Sequence, residues 1–166
     1  MLAESLNTYE DVEILEIGSG IGTMLERLLE HDTLQRTHYT LLDEQPENIK
    51  TARLRLPQWA DEHNFLVTWE DGKLVLSKNG QDTKVSFLAE DLFDFLARRP
   101  ADQQYDLLIA HAFLDLVDIS AALPRLFETI KPDGRFYFTI NFDGETIFEP
   151  TVPNDAEIMA AYHRTM

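Results

Sequence analysis

The chain has 166 residues, with 14 Lys plus Arg against 30 Asp plus Glu and no cysteine. That length fits one domain with a real core, and a formal net charge of −16 disfavours nucleic acid and anionic membranes as partners. The missing cysteines exclude disulfides, thiolate zinc sites and a thiol nucleophile.

No stretch nears the roughly 18 apolar residues of a membrane span. The acidic Met1–Asp11 does not read as a secretory signal. A soluble, cytoplasmic protein is the expectation.

Val12–Ile17 is the first apolar run, and it stops at a glycine cluster. Ile21, Leu25, Leu28 and Leu29 then recur at helical spacing and predict a helix ending near His31. His38–Leu42 is a second strand-length run, closed by Asp43. Pro46 opens the next helix, Ile49, Ala52, Arg53 and Leu56 continue it, and Pro57 is expected to kink or split it.

From Phe65 to Ser77 the apolar residues alternate around Glu70-Asp71-Gly72-Lys73, which predicts a hairpin. Asn79-Gly80 marks a second turn. Val85–Ala89 is the third core run, followed by a short helix over Leu92–Arg98. Tyr105–Ala110 is the fourth. Ile119, Leu123, Leu126, Phe127 and Ile130 form another helical stripe, and Pro124 leaves its start open. Phe136–Ile140 is the fifth run, reached through Lys131-Pro132-Asp133-Gly134. A loop between Pro150 and Pro153 leads to a last helix, Asp155–His163.

Strands alternating with helices imply right-handed crossovers and a parallel sheet covered on both faces. The expected fold is therefore α/β, a three-layer sandwich with a mostly parallel sheet. Residues 1–166 read as one domain, with residues 65–84 inserted as a hairpin before the third core strand.

The informative segment is Glu16-Ile17-Gly18-Ser19-Gly20-Ile21-Gly22, where the first strand meets the first helix. Glycines there permit a tight turn and close approach of a ligand. Asp43 stands 21 positions after Gly22, near the distance at which nucleotide-binding α/β folds place a ribose-binding acid. Asp43 could instead cap the helix at Pro46. A dinucleotide fingerprint requires G-x-G-x-x-G, whereas the spacing here is G-x-G-x-G, with Thr23 at the position of the last glycine.

These residues resemble the class I S-adenosylmethionine-dependent methyltransferases, whose fold is Rossmann-like. The resemblance runs from about Val12 to Asn141. It is carried by Glu16–Gly22 as E-x-G-x-G-x-G, Asp43 in Leu-Leu-Asp-Glu, Glu90-Asp91-Leu92, Tyr105–Ile109, and Leu126–Gly134 before the fifth strand. It implies a core strand order of 3-2-1-4-5 and S-adenosyl-L-methionine as cofactor.

It implies further that Gly18, Ser19, Gly20 and Gly22 wrap the methionine part. Glu16 would brace that loop or reach the amino group through water. Asp43, with Glu44 beside it, would take the ribose hydroxyls, and Asp91 with Leu92 would face the adenine. Ala110, His111 and Ala112 would line the cleft beside the transferable methyl group.

Methyl transfer from a sulfonium chiefly needs alignment and exclusion of water, and it needs a base only for a protonated acceptor. His111 is the base candidate, and a histidine packed against loop backbone is the alternative. Asp118 reads as a helix cap. Tyr162 and His163 could close over the acceptor or simply face solvent.

His31, His38, His63, His111 and His163 lack zinc-site spacing, so no metal is expected. Ser19 is not in a nucleophile elbow, and no phosphate loop is present. Trp59, Trp69 and Phe65 read as packing residues.

The family usually completes its sheet with two further strands, which have no counterpart here. Residues 150–166 are expected to form a substrate lid or the start of a missing C-terminal part. An open sheet edge would invite association, for instance as a homodimer. The expected function is methyl transfer to a small-molecule acceptor. A non-catalytic methyltransferase-like binding domain and an NAD(P)-binding oxidoreductase are the alternatives.

Overall fold

The computed structural model describes residues 11–139 and 152–163, the side chain of His163 excepted. The expectations for Ile140, Asn141, Pro150 and the chain ends lie outside the described residues.

Seven strands form one sheet: β1 (Val12–Ile17), β2 (Thr37–Asp43), β3 (Leu66–Glu70), β4 (Lys73–Lys78), β5 (Gln81–Ala89), β6 (Tyr105–His111) and β7 (Ile130–Thr139). Their order is β3-β4-β5-β2-β1-β6-β7. Strands β5, β2, β1, β6 and β7 run parallel, and β3 and β4 add an antiparallel meander beside β5. Counting only the five parallel strands in chain order gives 3-2-1-4-5. The fold is Rossmann-like, and the hairpin widens the sheet instead of projecting from it.

Helices α1 (Thr23–Glu30) and α2 (Pro46–Glu62) cover one face. Their Leu25, Leu28, Ile49 and Leu56 pack on Ile14, Tyr39, Leu41 and Val85. Helices α3 (Leu92–Arg98) and α4 (Ile119–Phe127) cover the other. There Leu92, Phe95, Ala122 and Leu126 meet Leu15, Ile17, Leu42 and Leu108. Each such fully buried aliphatic side chain contributes about 1.5–3 kcal/mol. A last helix, α5 (Asp155–His163), is mostly exposed.

Local chemistry explains the boundaries. Asp91 caps α3, accepting hydrogen bonds from the Phe93 and Asp94 amides at 2.7 and 3.1 Å. Asp118 caps α4 in the same way through Ser120 and Ala121. Gly22 adopts φ +84° at the N-cap of α1, and a Cβ there would stand 3.0 Å from Leu56 of α2. Its lack of a side chain lets the two helices pack closely.

Two expectations need correction. Helix α2 runs unbroken across Pro57. The proline removes one backbone hydrogen bond, but Leu56 and Ala60 on either side are fully buried and hold the segment on the sheet. Ile130 belongs to β7, not to the helical stripe, because the Tyr105 amide donates to the Thr129 carbonyl at 2.8 Å and turns the chain into the sheet. The strand thus begins six residues before Phe136. Its register slips between Tyr105 and Leu107, where Lys131 reaches the buried Asp106 at 2.8 Å.

Glu16 on β1 is the most deeply buried carboxyl among the described residues. Glu16 is 3% exposed and accepts a hydrogen bond from the fully buried Tyr39 hydroxyl at 2.8 Å. Burial pushes its pKa up to about 8, against the opposing Tyr39 hydrogen bond and with help from the Asp43 charge.

Between about pH 4.5 and 8 the folded state therefore keeps a proton that the unfolded chain has released, so this group's stabilisation is lost as pH rises through that window. Glu16→Gln should gain stability relative to the parent as pH rises. Urea midpoints for both proteins across the window check this, and a difference that does not vary with pH would refute it. Gly22→Ala should lose about 1–3 kcal/mol in the same assay, from backbone strain and the clash with Leu56.

Candidate active-site cleft

The parallel strands end in register. Ile17 pairs with Leu42, Asp43 with Ala89, and His111 with Thr139. The loops after β1, β2, β5 and β6 therefore emerge along one edge of the sheet, where open α/β folds bind ligands. Backbone bonds lock the alignment: Ser19 N to Leu42 O, Glu90 N to Asp43 O and Ala112 N to Thr139 O, at 2.9–3.1 Å.

Asp43 organises this edge. Its Oδ2 accepts the Gly20 amide at 2.8 Å, while Oδ1 accepts the Gln45 amide at 2.9 Å and the Asn48 side-chain amide at 3.0 Å. It thus clasps the glycine loop and binds Gln45 and Asn48 at the start of α2, whose N-cap position is Gln45 itself. A carboxylate offers about four acceptor sites, so a ligand hydroxyl can still be served.

Three cavities sharing walls form the cleft. One of about 100 Å³ is lined by Leu42, Asp43, Glu44, Asp91, Leu92 and Phe113. The next, about 270 Å³, lies over Gly18, Gly20, Asp43, Asn48, His111 and Leu116. The third, about 290 Å³, is lined by Glu16, Ser19, Thr23, Arg27, His111 and Thr139 among others. Gly20 has φ +55° and open space where a Cβ would stand, as a cradle for a ligand requires.

His111 sits at the junction of the second and third cavities. Its Nδ1 lies 2.9 Å from the Thr139 hydroxyl, and the Tyr137 ring meets it edge-on at 4.9 Å. Its Nε2 is buried with no hydrogen-bond partner. Burial, and then the Arg27 charge, lower its pKa below the usual imidazole value, so the ring is neutral near pH 7. The next residue, Ala112, is held at φ +48°, a strained conformation for a side chain with a Cβ.

Glu16, Gly18, Ser19, Gly20, Asp43, Glu44, Asp91, Leu92 and His111 all meet at the cleft. Two of the expected cofactor contacts do not. Ala110 is fully buried within β6, pointing into the core under α3 and α4, and Ala112 takes the place on the wall. Gly22 is buried between α1 and α2. Glu16 is held by Tyr39 and not by the loop. Tyr162 lines none of the three cavities.

Arg27, Asn48, Phe113, Leu116 and Thr139 are cleft residues that sequence reasoning missed. Thr139 could have been found by aligning the ends of the fourth and fifth core strands. The others depend on how the helices are rotated.

A further cavity, about 530 Å³, opens toward the opposite ends of the strands, between Glu13, His38, Lys73 and Arg98. Glu13 and His38 pair with each other there at 2.8 Å. No group of three His, Cys, Asp or Glu that could hold a metal occurs among the described residues. No helix among them is long and apolar enough to cross a membrane.

Comparison with known proteins supplies the family. Curated proteins yield no match. Among solved structures, the chain is similar to the plantazolicin methyltransferase BpumL in complex with a pentazolic desmethylPZN analogue and S-adenosylhomocysteine (SAH). Identity is 20% and the TM-score 0.55, over 82% of this chain and 42% of that one. It is also similar to a Haloferax volcanii chain solved in complex with the Trm112 methyltransferase activator, at 21% identity and TM-score 0.54, over 85% of this chain and 50% of that one. CrArsM, an arsenic (III) S-adenosylmethionine methyltransferase from Chlamydomonas reinhardtii, gives 18% identity and TM-score 0.54, over 76% and 38%. These likenesses are of fold, and the chain spans less than half the length of BpumL. A family model described as a methyltransferase domain matches residues 15–136, from β1 through the ends of β2, β5 and β6 into β7. By that match, the chain belongs to the methyltransferase domain family.

Proposed function

We propose that this domain binds S-adenosylmethionine along the cleft and transfers its methyl group to a small-molecule acceptor. The observation that carries this reading is the Asp43 clasp on the open Gly20 backbone, at the centre of a cleft of ligand size. Two of the solved relatives support the cofactor, BpumL, crystallised with SAH, and CrArsM, an S-adenosylmethionine methyltransferase. Their acceptors differ, a desmethylPZN analogue in one and arsenic (III) in the other, so the acceptor is a property of each protein. The net charge of −16 supports an acceptor that is neither nucleic acid nor membrane.

In this reading Asp43 takes the ribose hydroxyls with its remaining lone pairs, with Glu44 beside it. Asp91, whose Oδ1 is committed to the α3 cap, faces the adenine with Oδ2, and Leu92 supplies an apolar wall. Gly18 and Gly20 admit the chain that joins nucleoside to amino acid. When bound, the cofactor supplies an activated methyl group on a sulfonium. His111, held by Thr139 at Nδ1, is the residue that would accept the acceptor's proton at Nε2. The protein otherwise contributes alignment and exclusion of water.

SAH at millimolar concentration should raise the melting temperature, because it binds only the folded state. A shift with NAD and none with SAH would overturn the reading. Asp43→Asn should weaken SAH binding about tenfold or more by calorimetry. His111→Ala should leave SAH affinity within about twofold yet slow methyl transfer about 100-fold or more. An unchanged rate would remove its role as base.

A further inference from the structure

The groove of about 530 Å³ on the α3 face of the sheet shares no lining residue with the three cleft cavities. Side chains two apart along a strand share a face. On this face Leu15 and Leu42 are buried under α3 and α4, whereas Glu13, His38 and Thr40, earlier on the same strands, are only half-buried. Helix α3 is seven residues long and ends at Arg98, so it stops short of them. Ser86 of β5 stands beside Thr40 in the same register, and Lys73 of β4 closes one side.

Much of the groove is fixed by its own bonds. His38 Nδ1 lies 2.8 Å from Glu13, and Arg98 pairs with Glu90. The hydroxyl of the buried Tyr105 accepts from Gln103 Nε2 at 2.9 Å and also bonds to Thr40, which ties the floor to the wall. Three polar groups are left over. The Lys73 ammonium, the Ser86 hydroxyl and the Asp102 carboxylate all line the groove, and none makes a hydrogen bond or ion pair with any described residue.

We propose that this groove is a second binding site, for a neutral polyhydroxyl ligand, a sugar. Lys73 only donates hydrogen bonds, Asp102 only accepts them, and Ser86 does both. The formal charges of the lining cancel, Glu13 and Asp102 against Lys73 and Arg98, so the wall as a whole attracts neither an anion nor a cation. A hydroxyl answers both kinds of partner with one atom, accepting from Lys73 or Ser86 and donating to Asp102. Leu88 adds an apolar patch against which the C–H face of a sugar ring can lie, and the volume is that of a small-molecule site. The site stands apart from the methyl-transfer reading, since it lies outside the cleft.

Saturation-transfer NMR on the full chain, with D-glucose, D-galactose, D-mannose and D-ribose titrated singly, tests this. At least one sugar should bind in the millimolar range, and its signal should persist when SAH is added to saturation. Lys73→Met and Asp102→Ala should each weaken that sugar about tenfold or more, and Ser86→Ala should weaken it by less. None of the three side chains has a partner among the described residues, so the melting temperature should stay in place. Binding of none of the four sugars, displacement of the bound sugar by SAH, or two or more variants that keep the parent's affinity would overturn the proposal. Acetate and glycine are titrated alongside. A signal from either with none from the sugars would give the groove to a charged ligand and overturn the proposal as well.

Discussion

The contact on which the cleft depends is the carboxylate of Asp43. It ties the amide of Gly20, the amide of Gln45 and the side chain of Asn48 to one point at the end of β2. A five-residue glycine turn has little to hold it from within, since glycine loses more conformational entropy on ordering than any other residue. Anchoring it to the neighbouring strand converts that freedom into a fixed surface. The same carboxylate sets the first turn of α2, and α2 in turn presses Leu56 against Gly22. Loop, strand and both helices of one face are thereby coupled.

Parallel register supplies the rest. Ile17, Asp43, Ala89 and His111 end their strands side by side, so residues far apart in sequence open onto one cleft. Chemistry is concentrated over the inner strands, which are packed on both faces. The outer strands differ. Leu66 on β3 is 66% exposed, and Phe136 on β7 is 58% exposed. Phe136 and Phe138 on β7 and Phe127 at the end of α4 bring their rings together in a partly exposed row. Positioning of the cleft thus rests chiefly on the buried inner strands, with the edge strand β7 contributing Thr139.

Charge is arranged along the cleft and not merely abundant. Asp43, Glu44 and Asp91 collect toward one end. Arg27 and a neutral His111 stand at the other, with Glu16 protonated by burial between β1 and its Tyr39 partner. A zwitterionic, sulfonium-bearing cofactor suits such a gradient better than a uniformly acidic groove would.

Much of this architecture was legible in the chain. Near-continuous apolar runs marked the inner strands, and Glu16–Gly22 with Asp43 marked where ligand and loop would meet, because period and glycine content follow from backbone sterics alone. The Asp118 cap was legible for the same local reason. What failed to show were outcomes of packing. Pro57 stays helical because its neighbours are buried, and Ile130 joins β7 because Thr129 bonds to Tyr105. Gly22 and Ala110 face the interior and not the cleft, although they lie within or beside the motifs. Arg27 and Asn48 carried no signal, since their place in the cleft depends on helix rotation, and Thr139 emerges only once the ends of β6 and β7 are aligned. The amino-acid sequence by itself determined the alternation of strands and helices, the glycine turn and the acidic balance. Only the tertiary structure decided which side chains share the cleft, because that depends on contacts between segments whose separation in the chain no local pattern can encode.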